Sequence, residues 1–233
     1  MSGRAALGSV LAAVALALPH AGCARLAAPA PRIAAPIDDP VAALVARERS
    51  LAGLRLSLRI RDEGPDGATP AVPAFLAVER PGRLRLQVLS LFGATVLDLE
   101  IAGDRFRLRL PMQSVTRRGR VDPTALAAAA EGDRMVMALA LLFRGDAAAC
   151  VAISARSARC PLGGGATATV DLDRAGRPVR ERLADAGGRP LLVAEYAGYE
   201  APAPTAVPRT IVLSDPRRGA TTRVRVLRVR TGA

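Results

Sequence analysis

The sequence contains three cysteines and one histidine, and these residue types limit the chemistry that the chain can perform. Cys150 and Cys160 flank the strand-like stretch VAISARSAR, which is typical of a hairpin. If the chain is exported to an oxidising compartment, a disulfide between these two cysteines is predicted. A metal pair is the alternative, and it is disfavoured because two thiolates alone rarely hold zinc.

The single histidine, His20, lies in an apolar N-terminal segment that is predicted to be removed from the chain. Without it, no histidine-based triad, general base or metal site can be assembled. The sequence therefore predicts neither an enzyme nor a cofactor.

The N-terminal segment has the organisation of a signal peptide. Arg4 precedes an apolar run over residues 5–18, which is shorter than the roughly 20 residues of a membrane-spanning helix. Two small residues then precede Cys23, and this arrangement resembles the lipobox of bacterial lipoproteins. The resemblance implies a lipoprotein signal peptide over residues 1–22 and a lipid on Cys23. The alternative is an ordinary signal peptide cut nearby, with Cys23 incidental.

The residues after the lipidation site indicate how the domain is attached and sorted. Residues 23–37 are rich in Ala and Pro and predict an extended tether. Ala24, rather than Asp, follows the cysteine, which in similar lipoproteins implies sorting to the outer membrane. The protein is predicted to be anchored by its N-terminal lipid to the periplasmic face of the outer membrane.

The charge is strongly positive and is carried entirely by arginine. The net charge is +12, with 33 basic residues and no lysine. Such a balance favours polyanionic partners, although a GC-rich codon bias would also produce it. The densest basic segment is Arg117, Arg118 and Arg120, a candidate site for anionic headgroups; the alternative is a solvated loop. Nucleic acid is not predicted, because only 3% of the residues are aromatic.

Hydrophobic periodicity predicts a mainly β domain over residues 38–233. An N-terminal helix is expected from Asp38 or Asp39 to Gly53, with Pro40 in its first turn. Alternating apolar and charged residues predict about eleven strands, the last with a β-bulge: residues 54–61, 72–80, 83–88, 94–101, 105–110, 149–153, 166–172, 179–183, 191–199, 210–213 and 222–230. Because one face of these strands is polar and exposed to solvent, the sheet is expected to be antiparallel. A sheet of about eleven strands must curl.

The insert at residues 122–144 is rich in helix formers and is predicted to cover the apolar face of the sheet. The expected fold class is mainly β with α: an unclosed antiparallel half-barrel with an N-terminal helix and a helical lid.

Residues 81–111 resemble the core of LolB-like outer-membrane lipoproteins. The matching residues form an Arg-x-Arg-Leu strand, a Phe-Gly loop and a Thr-x-Leu-x-Leu strand: Arg83, Arg85, Leu86, Phe92, Gly93, Thr95, Leu97 and Leu99. Leu91 replaces the proline of the family's loop. The resemblance implies a LolA/LolB-like unclosed barrel whose helical lid covers an apolar cavity for acyl chains.

The resemblance also assigns candidate site residues. The predicted cavity is lined by apolar residues of the sheet and the lid: Leu84, Leu86, Leu97, Leu99, Phe106, Leu108, Met137, Leu141 and Phe143. Leu91, Phe92 and Gly93 form a candidate loop for delivery to the membrane; alternatively, Phe92 folds back onto the core.

The predicted function is binding of acyl chains or lipoproteins, which would assist lipoprotein localisation. The predicted partners are these lipids or lipoproteins, the membrane and a periplasmic carrier protein. The alternative function is a structural or interaction lipoprotein of the same fold with a filled core.

Overall fold

The structure is a computed structural model that describes five stretches of the chain: residues 39–65, 67–80, 82–121, 146–200 and 207–231. Several predicted features lie outside the described residues: the signal peptide 1–22, Cys23, the tether 23–37, the lid 122–144 and, within the lid, Met137, Leu141 and Phe143. All described elements belong to one compact unit, residues 34–233. Because the fragment 34–233 carries the described helix, the whole described sheet and the Cys150–Cys160 pair, we expect it to fold by itself.

The N-terminal helix begins where the sequence predicts. Helix α1 covers Pro40–Ser50, and Asp39 is its N-cap. The Asp39 Oδ1 atom accepts hydrogen bonds from the backbone N–H groups of Val41 (2.8 Å) and Ala42 (3.1 Å). Gly53, with a φ of +74°, then turns the chain into the first strand.

The described residues form fourteen strands, all paired in antiparallel fashion in one sheet. In chain order the strands are β1 Leu54–Gly64, β2 Gly67–Ala68, β3 Val72–Arg80, β4 Arg83–Leu89, β5 Thr95–Ala102, β6 Arg105–Leu110, β7 Val115–Arg120, β8 Val151–Ser154, β9 Ser157–Pro161, β10 Thr167–Leu172, β11 Pro178–Ala184, β12 Pro190–Ala197, β13 Thr210–Asp215 and β14 Ala220–Thr231.

The sheet consists of two meanders joined at the centre. Its order is β7-β6-β5-β4-β3-β1-β14-β13-β12-β11-β10-β9-β8, with β2 paired only to β1. The β1–β14 pairing therefore connects the beginning of the domain to its end. Within the described residues β7 and β8 do not pair with each other, so the sheet is unclosed. The predicted fold class is confirmed, although the strand count is higher than predicted.

Three of the fourteen strands were not among the eleven predicted from the sequence: β2, β7 and β9. Strand β7 has the sequence VTRRGR, and every residue after Val115 in it is exposed. This strand lies at the edge of the sheet and is held by backbone pairing to β6. Because neither of its faces is buried, its sequence shows no alternation of apolar and polar residues. The alternative that places Arg117, Arg118 and Arg120 in a solvated loop is wrong in its conformation, because the three arginines are exposed but lie on a strand.

The core lies on the inner face of the sheet, where period-two alternation places the aliphatic residues. In β1, Leu54, Leu56, Leu58 and Ile60 are each no more than 2% exposed, while the intervening residues Arg55 and Arg59 point outward into solvent. Burying one such aliphatic side chain contributes about 1.5–3 kcal/mol. Burial of the inner face therefore supplies the main driving force for folding of the sheet.

The predicted β-bulge in the last strand is confirmed. Ser57 pairs with Arg228 and Leu58 pairs with Val226, so Leu227 is an extra residue without a partner on β1. Leu227 is 53% exposed, whereas Val226 is 4% exposed. The bulge explains why the apolar phase of the sequence slips at this position.

A carboxylate buried on the outer face ties β4, β5 and β6 together. Asp98 is 5% exposed and accepts two hydrogen bonds from Arg85 (2.9 and 3.0 Å) and one from Arg109 (2.7 Å). Burial alone would raise the pKa of Asp98, but the hydrogen bonds and charges of the two arginines outweigh burial and lower it. Asp98 is therefore ionised at neutral pH and pairs with two cations at once.

Candidate functional site

A cavity of about 120 Å³ lies between α1 and the inner face of the second meander. Helix α1 and the turn before β8 form one wall, and β9 to β13 form the other. Apolar residues provide most of the described lining: Leu44, Leu51, Val78, Ala147, Cys150, Cys160, Pro161, Leu162, Ala168, Val170, Pro178, Pro208 and Ile211. A cavity of roughly 150 Å³ holds a benzene ring, so this cavity accepts a small apolar group.

A small polar cluster lies within the apolar wall. Glu181 of β11 and Tyr196 of β12 both line the cavity, and the Tyr196 hydroxyl donates a 2.8 Å hydrogen bond to Glu181 Oε2. Arg47 of α1 lines the same cavity on the opposite wall. Glu181 is half-buried. Protein surrounds its side chain, and the exposed part of that side chain faces the cavity.

The electrostatics of the cluster follow from burial. Burial raises the pKa of Glu181 to about 7, although the hydrogen bond from Tyr196 and the positive charge of Arg47 act against this rise. Burial and the adjacent Glu181 raise the pKa of Tyr196 well above its ordinary value. Tyr196 therefore remains a donor at neutral pH, and the Glu181 carboxyl changes charge close to neutrality.

The rim of the cavity is held by contacts between elements that are distant in sequence. Glu48 of α1 accepts a 2.7 Å hydrogen bond from the backbone N–H of Ala147. The Cys150–Cys160 disulfide, with an S–S distance of 2.01 Å, joins the residue before β8 to β9, and both cysteines line the cavity. These contacts connect α1, the turn before β8 and the edge hairpin β8–β9 at the rim of the cavity.

The sheet residues that were predicted to line a cavity come together elsewhere. Five leucines on β4, β5 and β6 share one buried cluster and are at most 8% exposed: Leu84, Leu86, Leu97, Leu99 and Leu108. Phe106 packs against this cluster and lies beside Gly119 of β7. None of the six is among the described residues that line the 120 Å³ cavity. Their contact with acyl chains stays a prediction.

The β4–β5 loop presents two large apolar side chains to solvent. Phe92 is 97% exposed and Leu91 is 63% exposed, so the alternative in which Phe92 folds back onto the core is wrong. The Ser90 hydroxyl accepts hydrogen bonds from the N–H groups of Phe92 (3.3 Å) and Ala94 (3.2 Å). Gly93 completes the turn with a φ of +82°. The loop is thus organised by local hydrogen bonds while its tip buries nothing.

The basic segment on β7 is exposed. Arg120 donates a 2.8 Å hydrogen bond to Asp104, and this ion pair and its charge lower the pKa of the Asp104 carboxyl. Arg117 and Arg118 lie on the same edge strand and are exposed. The assignment of Arg117, Arg118 and Arg120 to anionic headgroups stays a prediction.

Glu181 and Tyr196 were not identified from the sequence, although a signal for them existed. Leu192, Ala194 and Tyr196 share one phase of β12, and the first two are buried. Glu181 stands two residues before the fully buried Leu183 on β11. A polar side chain in the phase of buried apolar residues indicates an inward position, and two such residues on adjacent strands indicate a polar pair.

The unclosed antiparallel sheet with an N-terminal helix beside its inner face defines a LolA-like fold. Among solved structures, the chain is similar to a domain from Vibrio parahaemolyticus described as that of an outer membrane lipoprotein-sorting protein. That comparison has a TM-score of 0.59 and 12% identity, and it covers 83% of this chain and 91% of the other.

Two further structures share the fold. A LolA superfamily protein from Nitrosomonas europaea aligns with a TM-score of 0.56 and 12% identity, covering 86% of this chain and 95% of the other. A DUF1329 family protein from Desulfovibrio piger aligns with a TM-score of 0.53 and 10% identity over the same shares. No family model and no curated protein matches the sequence. At these identities the similarity shows the fold, and function must be argued from the site.

Two features are absent from the described residues. None of the helices in the described ranges is long and apolar enough to cross a membrane. Among the same residues, no group of three or more His, Cys, Asp or Glu side chains is placed to hold a metal ion.

Proposed function

We propose that this chain is a lipid-binding lipoprotein of the bacterial envelope that holds part of an acyl chain between α1 and β9–β13. The observation that carries the proposal is the apolar cavity beside α1, which is held open although many aliphatic side chains surround it. Transfer of apolar surface from water into such a site is favourable by about 25 cal/mol per Å². Binding requires only desolvation, with no bond made or broken.

The polar cluster offers an anchor for the head of such a ligand. Below about pH 7 the Glu181 carboxyl carries a proton that it can donate, and an ester or amide carbonyl can accept it. Arg47, on the facing wall, supplies a positive charge for a carboxylate or phosphate. The ligand class is therefore an acyl chain that ends in a carbonyl-containing or anionic group, as in a lipid or a lipoprotein.

The remaining predicted features complete the proposal. An acylated Cys23, followed by the tether 23–37, would place the domain at the periplasmic face of the outer membrane. There it would accept lipoproteins or other lipids, directly or from a periplasmic carrier protein. The signal peptide, its cleavage and the sorting signal at Ala24 are part of this proposal and rest on the sequence.

Filling the cavity should weaken acyl-chain binding. Ala147 lines the cavity at the turn before β8, whereas its neighbour Ala148 is exposed and is not part of the described lining. We expect Ala147→Trp in the fragment 34–233 to weaken binding of a fluorescent fatty acid at least tenfold, because the indole occupies the space of the chain. Fluorescence titration measures the affinity.

Ala148→Trp is the matched control, and it should bind like the unmodified fragment. Equal affinity of both variants, or no saturable binding by the unmodified fragment, would remove the proposed function. Thermal unfolding of each variant checks that the fold is retained.

We further propose that the exposed Leu91–Phe92 tip enters the membrane when the ligand is handed over. Phe92→Ser should slow transfer of the bound fluorescent fatty acid to phosphatidylcholine vesicles about tenfold, since insertion of a phenylalanine into lipid contributes roughly 1–3 kcal/mol. The affinity for the fatty acid should not change, because Phe92 is not among the described cavity residues. Unchanged transfer kinetics in this variant would show that the loop has another role.

A second candidate function has support in the first meander. The leucines at positions 84, 86 and 99 are 0–3% exposed, so this part of the inner face is filled by protein. A filled core suits a structural lipoprotein that docks an envelope partner. Stable capture of one protein partner by a fragment that binds no fatty acid would favour this function.

A further inference from the structure

The β1–β14 pairing places arginines opposite one another on the outer face of the sheet. Arg55 pairs with Arg230, Arg59 with Arg225 and Arg61 with Arg223, while Ser57 pairs with Arg228. We call these seven arginines the arginine ladder: Arg55, Arg59, Arg61, Arg223, Arg225, Arg228 and Arg230. All seven are exposed. Like charges directly opposite each other destabilise a sheet, so folding alone does not explain the ladder.

Almost all of the ladder lacks a counter-charge. Arg61 lies 3.7 Å from a Glu63 carboxylate oxygen. Within the described part of the chain, no carboxylate lies at ion-pair distance from the other six arginines. The positive charges are therefore balanced by solvent ions or by a partner that brings negative charge.

The neighbouring part of the same face is organised differently. Arg85 and Arg109 pair with Asp98, and Arg107 pairs with Glu100 at 2.6 Å. On β4 to β6, therefore, arginines of this sequence do have acidic partners. At the centre of the sheet, where β1 meets β14, three pairs of arginines face one another and only Arg61 has an acidic partner among the described residues.

A shallow groove of about 310 Å³ lies at one end of the ladder. Its described lining includes cations, hydrogen-bonding groups and one aromatic ring: Arg55, Ser57, Phe75, Gln87, Arg228 and Arg230. Phe75 is 47% exposed, although it lies on a face where charged residues surround it. Guanidinium groups recognise phosphate in bidentate geometry, and an exposed aromatic ring beside cations suits the interface between water and lipid.

We propose that the arginine ladder docks the protein on the phosphate groups of an anionic lipid surface, with Phe75 in contact with the interfacial region. Strands about 4.8 Å apart spread the cations over two dimensions, as headgroups are spread in a leaflet. Nucleic acid fits less well, because recognition of single strands requires several stacking aromatics and the groove has one. This site is on the opposite face of the sheet from the acyl-chain cavity and does not depend on it.

The test is co-sedimentation of the fragment 34–233 with phosphatidylcholine vesicles that do or do not contain phosphatidylglycerol. Each arginine at an anionic surface contributes about fivefold in partitioning, so Arg55→Gln/Arg228→Gln/Arg230→Gln should weaken binding about 100-fold. The matched control is Arg156→Gln/Arg159→Gln/Arg174→Gln, three exposed arginines remote from the ladder in sheet order. It removes the same charge and should change binding less than about threefold.

A second measurement separates docking from misfolding. Removing the opposed Arg55–Arg230 pair should raise the melting temperature of the ladder variant by about 1 °C, because one such contact costs a few tenths of a kcal/mol. Weaker binding together with a higher melting temperature supports the proposal. The proposal is overturned by equal loss in the control, by no preference for phosphatidylglycerol, or by tighter ladder-dependent binding to an oligonucleotide.

Discussion

The fragment 34–233 is expected to lose about 3 kcal/mol of its free energy of unfolding between pH 4.5 and pH 7, because of Glu181. The pKa of Glu181 is about 7 in the folded chain and has a reference value of 4.5. Between these two values the folded state keeps the proton and the unfolded state releases it. The unfolded state therefore binds fewer protons, and stability falls as the pH rises. Above pH 7 the loss is complete.

Glu181→Gln should remove this decline. The amide is neutral at every pH, and its carbonyl oxygen can still accept the hydrogen bond from Tyr196. At about pH 8 the variant should be roughly 2–3 kcal/mol more stable than the unmodified fragment, and near pH 4 the two should be similar. Urea unfolding at a series of pH values measures both curves.

The control is Glu195→Gln on the adjacent strand. Glu195 is exposed and pairs across the strand with Arg180, so the same chemical change occurs outside the cavity. This variant should keep the decline. If it flattens the curve as Glu181→Gln does, or if Glu181→Gln leaves the slope unchanged, the cavity carboxyl is not the group responsible.

The second large effect is expected from loss of the disulfide. Cys150 and Cys160 are separated by 10 residues, and closing a loop of this length stabilises a protein by about 2–3 kcal/mol through the entropy of the unfolded chain. The double variant Cys150→Ser/Cys160→Ser should therefore melt roughly 5–10 °C lower than the oxidised fragment. Thermal unfolding followed by circular dichroism measures the difference.

Reduction provides an independent check on the same bond. The fragment 34–233 contains no other cysteine, since Cys23 precedes it. A reductant should lower the melting temperature of the unmodified fragment to that of the double serine variant and leave the variant itself unaffected. Hydrogen exchange should show the fastest opening in the edge hairpin β8–β9. A reductant effect of equal size on the serine variant would assign the loss to another cause.

The candidate site could be predicted only in part, for reasons that differ between its residues. The disulfide pair follows from two cysteines that flank a hairpin, which is local information. Phe92 was recognised as a candidate because it occupies the place of an exposed apolar residue in the loop of the LolB-like family, but only the structure distinguishes an exposed ring from one that folds back. The cavity between α1 and β9–β13 depends on elements more than a hundred residues apart, and nothing in the local pattern of either element places them together.

The sequence by itself determined the strands that bury one face, the capped helix and the bulge in the last strand, because each depends on side-chain alternation within a few residues. Only the tertiary structure decided that β1 lies beside β14 and that α1 faces Glu181. Each strand taken separately shows an ordinary solvated row of arginines. The arginines of β1 and β14 face one another only when these two strands pair. The unbalanced charge at the centre of the sheet therefore exists only in the folded domain. Such pairing is set by burial of the whole inner face, which no local segment encodes.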